Sequence, residues 1–177
     1  MQKIKAGTRF RSPFGCMVCG PFMSGGVIKA DGVEFVPGVG GLKEVTLNPP
    51  INNLLILDDL MEELSADKKA STLFTKDMHH KNVTVIFVVQ NLFKQGKSMR
   101  DITALNCQVI VLFKSPRDVQ QIRVLSRQTG IKDLEKAYLE AIKEPYGYLV
   151  INMQSHTPDA IKLQSDIFAK HRRIFKK

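Results

Sequence analysis

The sequence predicts an α/β fold, a mainly parallel sheet flanked by helices. Four runs are apolar and β-branched along their length: "NLLIL" (53–57), "VTVIFVV" (83–89), "QVIVLF" (108–113) and "GYLVI" (147–151). Continuous apolarity, as opposed to alternation, marks strands covered on both faces. Between the runs lie stretches with helical start and stop signals, so strand and helix alternate, the pattern of an α/β sheet. The 177 residues, 44% hydrophobic and 24% charged, have the composition of one ordinary globular domain.

Taken in order, the chain opens on the basic segment "MQKIKAGTRFRSPFG". No long apolar stretch follows it, so no signal peptide is expected. A weaker apolar run, "GCMVC" (15–19), precedes a glycine cluster, and "VEFV" (33–36) is a further short strand candidate. "PGVGGLKEVTLNPP" (37–50) is rich in Gly and Pro and reads as loop. Residues 66–80 read as a helix capped by Ser65, with Leu73 and Phe74 inward. Residues 115–130 start with Ser115 as cap and Pro116 in the first turn, and they end at Gly130. Val119, Ile122 and Leu125 give this helix one apolar face. A third helix is expected over 131–144. The division is one domain over 1–168 and a basic tail over 169–177.

No apolar run reaches the roughly 18 residues of a membrane span, so no membrane association is expected. Three cysteines do not make a disulfide framework, which favours a reducing intracellular compartment. The net charge is +9, with Lys3, Lys5, Arg9 and Arg11 near one end and Lys170, Arg172, Arg173, Lys176 and Lys177 at the other. This balance favours a polyanionic partner, nucleic acid first; charged ends that only aid solubility are the rival reading. "KHRRIFKK" (170–177) is open to DNA contact, nuclear import or plain solubilisation.

The glycine cluster has the outline of a phosphate-binding loop, G-x-x-x-x-G-K-[ST]. Gly20 and Gly25 have the right spacing, but Gly26 stands at the lysine position and Val27 at the hydroxyl position. Only "VIKADG" separates Gly26 from "VEFV", too little for an ordinary crossover helix. The strongest chemical signal lies further on. "NLLILDDLMEEL" (53–64) runs from apolar residues into Asp58 and Asp59. At the carboxyl end of a strand, where α/β sheets bind ligands, paired acids suit a Mg²⁺-nucleotide site, one holding the metal or its water shell and the next polarising water. A solvated strand end is the bland alternative. Gln90 occupies the equivalent end of the next strand, where an amide can touch a γ-phosphate or orient water. Cys16 and Cys19 form C-x-x-C, but positions three apart on a strand face opposite sides, which argues against zinc.

"LLILDDLMEE", "LFTKDMHHKNVTVIFVVQNLFKQGKSMRDITALN", "VLFKSPRDVQQIRVLSRQ" and "PYGYLVINMQSHTPDAIKLQSDIF" together resemble the poxvirus-type genome-packaging ATPases, with the nearest likeness to those of Maverick/Polinton elements and related DNA viruses. These belong to the FtsK–HerA branch of P-loop NTPases. The resemblance implies a P-loop NTPase-like fold, ATP and Mg²⁺ as cofactors, a homo-oligomeric ring, double-stranded DNA as the translocated partner and a viral capsid or portal vertex as its destination. It also implies an intracellular assembly site, in the nucleus or cytoplasm of a host. By resemblance, Asp58 holds the metal and Asp59 is the second Walker B acid. Gln90 is the polar sensor, and Arg117 the candidate arginine finger, with Arg100 second and a surface ion pair the alternative for Arg117. Gly20, Pro21, Ser24 and Gly25 match the start of the family's nucleotide loop. After Gly25 the match fails and resumes at "GVEFVPG", the outline of an internal deletion that removes one crossover helix. The chain is therefore expected to be an inactive homologue; a non-catalytic DNA-binding or ring module, or a decayed fragment, are the rivals. The missing helix is also expected to bare apolar sheet near "GCMVC" and "VTVIFVV".

A lysine without a helix behind it has no fixed direction, and ordering it costs entropy. Gly26→Lys with Val27→Thr is therefore expected not to restore Mg²⁺-ATP binding in titration calorimetry. Micromolar binding by this double variant would show that the scaffold survives.

Overall fold

The computed structural model describes residues 2–5, 15–19, 36, 38, 52–60, 63, 82–90, 92, 107–115 and 119–175. They form eight strands: β1 (Gln2–Lys5), β2 (Gly15–Cys19), β3 (Asn53–Asp58), β4 (Val83–Val89), β5 (Val109–Phe113), β6 (Tyr148–Asn152), β7 (Leu163–Ser165) and β8 (His171–Ile174). Two helices, α1 (Val119–Thr129) and α2 (Leu134–Ala141), lie between β5 and β6. All eight strands join one sheet in the order β1-β8-β7-β6-β5-β2-β4-β3.

The fold is α/β, one mixed sheet with helices packed on it. Strands β5, β2, β4 and β3 pair in parallel, and they are the strands whose apolar runs announced them. The remaining strands extend the sheet antiparallel from β5 through β6, β7 and β8 to β1. Three of the four runs and "GCMVC" reappear within one residue of their expected bounds, as does the "GYLVI" run, shifted by one to Tyr148–Asn152. The expected helix at 66–80 and residues 33–35 lie outside the described residues.

One face of the sheet carries the main core. Leu57, Val85, Phe87, Ile110, Leu112, Leu149 and Ile151 pack with Ile122 and Leu125 of α1 and with Leu134, Ala137, Tyr138 and Ala141 of α2. Alternate residues of the same strands make a thinner cluster on the other face, centred on Cys16, Val109 and Val150. Helix α1 ends where its sequence says: Gly130 has φ +69°, the left-handed conformation that glycine adopts freely at a helix exit. Helix α2 begins three residues later than expected, at Leu134, after Ile131 turns into the core. The chain then returns to the sheet so closely that a Cβ on Gly147 would collide with the Ala141 carbonyl oxygen.

Two expectations change. Among the described side chains of β2 and β4 none is exposed: Cys16, Cys19, Val85, Phe87 and Val89 are buried, and Val18, Ile86 and Val88 are half-buried. Apolar exposure falls on β3, where Leu54 and Ile56 are 60% and 56% exposed. Strand β3 ends the strand order, and its exposed face carries Leu54, Ile56 and Asp58 while Leu55 and Leu57 turn to the main core. The basic tail is also shorter than read. His171–Ile174 form β8, inside the sheet between β7 and β1. Arg172 there is buried and donates from Nη1 to Gln164 Oε1 at 2.8 Å.

The Tyr138 hydroxyl ties α2 to the end of β5. It accepts from the Ser115 amide at 3.0 Å and donates to the Phe113 carbonyl oxygen at 3.1 Å. Tyr138→Phe strands both backbone groups, and a buried orphan costs about 1–3 kcal/mol. Urea unfolding should show a loss of that size; an unchanged midpoint would mean that water replaces the hydroxyl.

Candidate nucleotide edge of the sheet

Parallel register brings the sequence-predicted residues to one edge. Asp58, the last residue of β3, stands opposite Val88, which stands opposite Val18 of β2. Cys19, the last residue of β2, stands opposite both Val89 of β4 and Leu112 of β5. The carboxyl ends of four strands are therefore level, and the chain leaves β2 toward Gly20 at that height. Strand β2 lies between β4 and β5, so the chain passes to one side of it to reach β3 and later to the other side to reach β5. Such reversals of strand order open the crevices in which α/β sheets bind ligands.

Asp59 leaves the strand with φ +51°, a left-handed conformation that Asp tolerates better than most residues. Its amide still donates to the Val88 carbonyl oxygen at 3.3 Å, which holds the turn against β4. The turn brings the side chain to Gln90, whose Nε2 donates to Asp59 Oδ2 at 3.3 Å. Asp58, Asp59 and Gln90 are all exposed. Just beyond, the amide of buried Leu92 donates to Gln121 Oε1 at 3.1 Å, so α1 anchors the chain that follows Gln90. Sequence reading did not single out Gln121 or Tyr138. Each lies within a helical pattern, and the backbone groups they meet lie 23 to 29 positions away.

Chemically, the edge offers two adjacent carboxylates and an amide that orients one of them. Among the described residues no three His, Cys, Asp or Glu side chains converge on one point. Two carboxylate donors fit Mg²⁺, which is usually held by one or two carboxylates with waters and phosphate oxygens completing its octahedron. Gly20, Pro21, Ser24, Gly25 and Arg117 lie outside the described residues, as does Arg100.

No family model matches the chain, and no curated relative does. One solved structure is similar in fold. It is the genome packaging NTPase B204 from Sulfolobus turreted icosahedral virus 2, in complex with ATP-gammaS. Identity is 12% over 92% of this chain and 96% of that one, with a TM-score of 0.41.

Cys19 closes β2 at this edge, but like Cys16 and Cys107 it is buried. Cys16 belongs to the thin cluster and Cys19 to the main core, on opposite faces, as the three-residue spacing required. Burial pushes the Cys16 thiol up to about 11 and, with the nearby Cys16, the Cys107 thiol up to about 12. Both are thus held as thiols at neutral pH, the form that is poor in nucleophilic and metal chemistry.

The left-handed turn at Asp59 makes an ordered prediction. Asp59→Asn and Asp59→Gly should retain the stability of the parent, while Asp59→Ala should lose about 1 kcal/mol, because a Cβ without a local polar partner is strained there. Equal urea midpoints for the Ala and Gly variants would show that the turn relaxes.

Proposed function

We propose that this chain is a homologue of a viral DNA-packaging motor ATPase that keeps the acid side of the nucleotide site and lacks the lysine side. The observation that carries the reading is the meeting of Asp58, Asp59 and Gln90 level with the end of β2, at a reversal of strand order. In this reading Asp58 would hold Mg²⁺ directly or through its waters, and Asp59 would polarise the attacking water. Gln90 keeps the Asp59 carboxylate pointed at the crevice. Arg117 is the arginine that would reach a neighbouring subunit's nucleotide. When bound, Mg²⁺-ATP supplies the phosphoanhydride whose cleavage drives the motors of this class.

The phosphate side is where the chain departs. A P-loop lysine neutralises β/γ-phosphate charge and the following hydroxyl holds the metal; here Gly26 and Val27 occupy those positions. Hydrogen bonds to charged groups contribute roughly 1.5–3 kcal/mol each, and the helix that should follow would have added its N-terminal amides. The chain is therefore proposed to be catalytically silent. Its partners are double-stranded DNA, drawn by the +9 charge, and further copies in a ring at a capsid vertex, within a host cell. A non-catalytic DNA-binding or ring module is the second reading, favoured by the same vacant lysine position.

Radiolabelled ATP turnover by the purified chain should be indistinguishable from buffer. Mg²⁺-dependent turnover that vanishes in Asp59→Ala would overturn the silent assignment. A chain with a family-like helix and strand, opening Gly-Lys-Thr, inserted after Gly25 should bind Mg²⁺-ATP and lose that binding on Asp58→Ala. Failure of the repaired chain to bind would sink the retained half-site. Duplex DNA should bind without sequence preference and weaken steeply with salt as counterions are released.

A further inference from the structure

The turn between β7 and β8 lies at the same end of the sheet as Asp58 and Asp59, because β7 runs parallel to β5 by way of two antiparallel pairings. Three bonds fasten it. The Ala169 amide donates to the Asp166 carbonyl oxygen at 3.0 Å, the Ile167 amide donates to Tyr148 Oη at 3.0 Å, and Arg173 Nε donates to Asp166 Oδ2 at 2.6 Å. On this fastened turn Phe168 is 91% exposed. Ala169, Lys170 and His171, which follow it, are exposed too.

A phenyl ring held in water by an ordered turn is an unfavourable use of apolar surface unless something covers it. Charge indicates what. Asp166, the acid of the turn, is already paired with Arg173, and Glu140, which feels the charge of Arg173, is itself paired with Lys143, so the turn beside the ring presents Lys170 and His171. In the β1–β8 ladder Lys5 stands opposite His171 and Lys3 opposite Arg173. A second exposed ring, Tyr146, projects from the α2–β6 turn at the same end of the sheet, two residues before the Tyr148 that fastens the Phe168 turn. An exposed aromatic ring with a lysine two residues away suits a chain of phosphates with accessible base faces. A duplex hides those faces, and a bilayer would call for more than one apolar side chain at the tip.

We propose that the β7–β8 turn is a contact site for single-stranded nucleic acid, with Phe168 stacking on an unpaired base and Lys170 and His171 meeting the flanking phosphates. The inference rests on the nucleic-acid partner of the reading above and is independent of nucleotide binding.

The test is fluorescence anisotropy of the full chain with a labelled single-stranded oligodeoxynucleotide and with the duplex of the same sequence. Co-sedimentation with phosphatidylcholine–phosphatidylserine vesicles runs alongside. Phe168→Ala should weaken the single strand about ten-fold, in the range of one lost base stack, and leave the duplex nearly unchanged. Phe168→Trp should restore single-strand binding. Lys170→Glu should weaken both nucleic acids and reduce the slope of affinity against salt. Melting temperatures of the variants should match the parent, since the side chains are exposed. Single-strand binding indifferent to Phe168→Ala, equal losses on both nucleic acids, or a loss confined to the vesicles would overturn the proposal while leaving duplex binding by the parent chain intact. No binding of either nucleic acid at low salt would overturn it together with the partner assignment on which it rests.

Discussion

The structure depends on β2 being hydrogen-bonded in parallel on both sides, to β4 and to β5. Five residues, two of them cysteines, join the acid-bearing strands to the C-terminal strands. Without this pairing the sheet would divide between β4 and β5. The same ladder sets the height at which four strands end, and so it sets where Asp58, Asp59 and Gln90 meet. Parallel pairing demands burial on both faces, and the two clusters of unequal thickness on either side of β2 meet that demand.

The two halves of the sheet are stabilised differently. In the parallel half, apolar side chains supply the burial. In the antiparallel half, buried polar groups take a larger share: Asn152, Gln164, Ser165 and Arg172 are all buried. Arg172 is satisfied in part by Gln164, and Asn152 Oδ1 accepts from the Gln154 amide. Such groups cost free energy unless paired, and Ser165 Oγ and Arg172 Nε are buried without a hydrogen-bond partner, so this half carries a polar cost that burial of Leu149, Val150, Ile151, Leu163 and Ile174 offsets. At the seam, α1 and α2 are joined by a fork of bonds from Arg123 to Glu135, which also draws the Glu135 carboxyl below the usual carboxylate range. Both groups face solvent, so the pair orients the helices more than it stabilises them.

What was legible in the sequence follows from this division. Strands β2 to β6 were legible because burial writes continuous apolar runs into the chain, but a run leaves direction open: "GYLVI" became β6, which pairs antiparallel. Asp58, Asp59 and Gln90 were legible because they interrupt such runs at their carboxyl ends. Strands β1, β7 and β8 were not, because "QKIK", "LQS" and "HRRI" carry no run and no alternation strong enough to show against their charges. They are strands because neighbours offer them hydrogen bonds. For the same reason the basic C-terminal stretch reads as a solvated tail, while half of it is a sheet strand.

The sequence by itself determined the α/β class, the apolar runs that become β2 to β6, the exit of α1 at Gly130 and the absence of lysine and hydroxyl at positions 26 and 27. Each of these is written locally, in residue type or in periodicity. Tertiary structure alone decided the strand order that sets β2 between β4 and β5, and which face of β3 bares Leu54 and Ile56. It also decided the contact of Gln90 with Asp59 and the meeting of the two basic ends at β1 and β8. Those outcomes depend on pairings between residues 31 to 172 positions apart, for which no local pattern carries a signal.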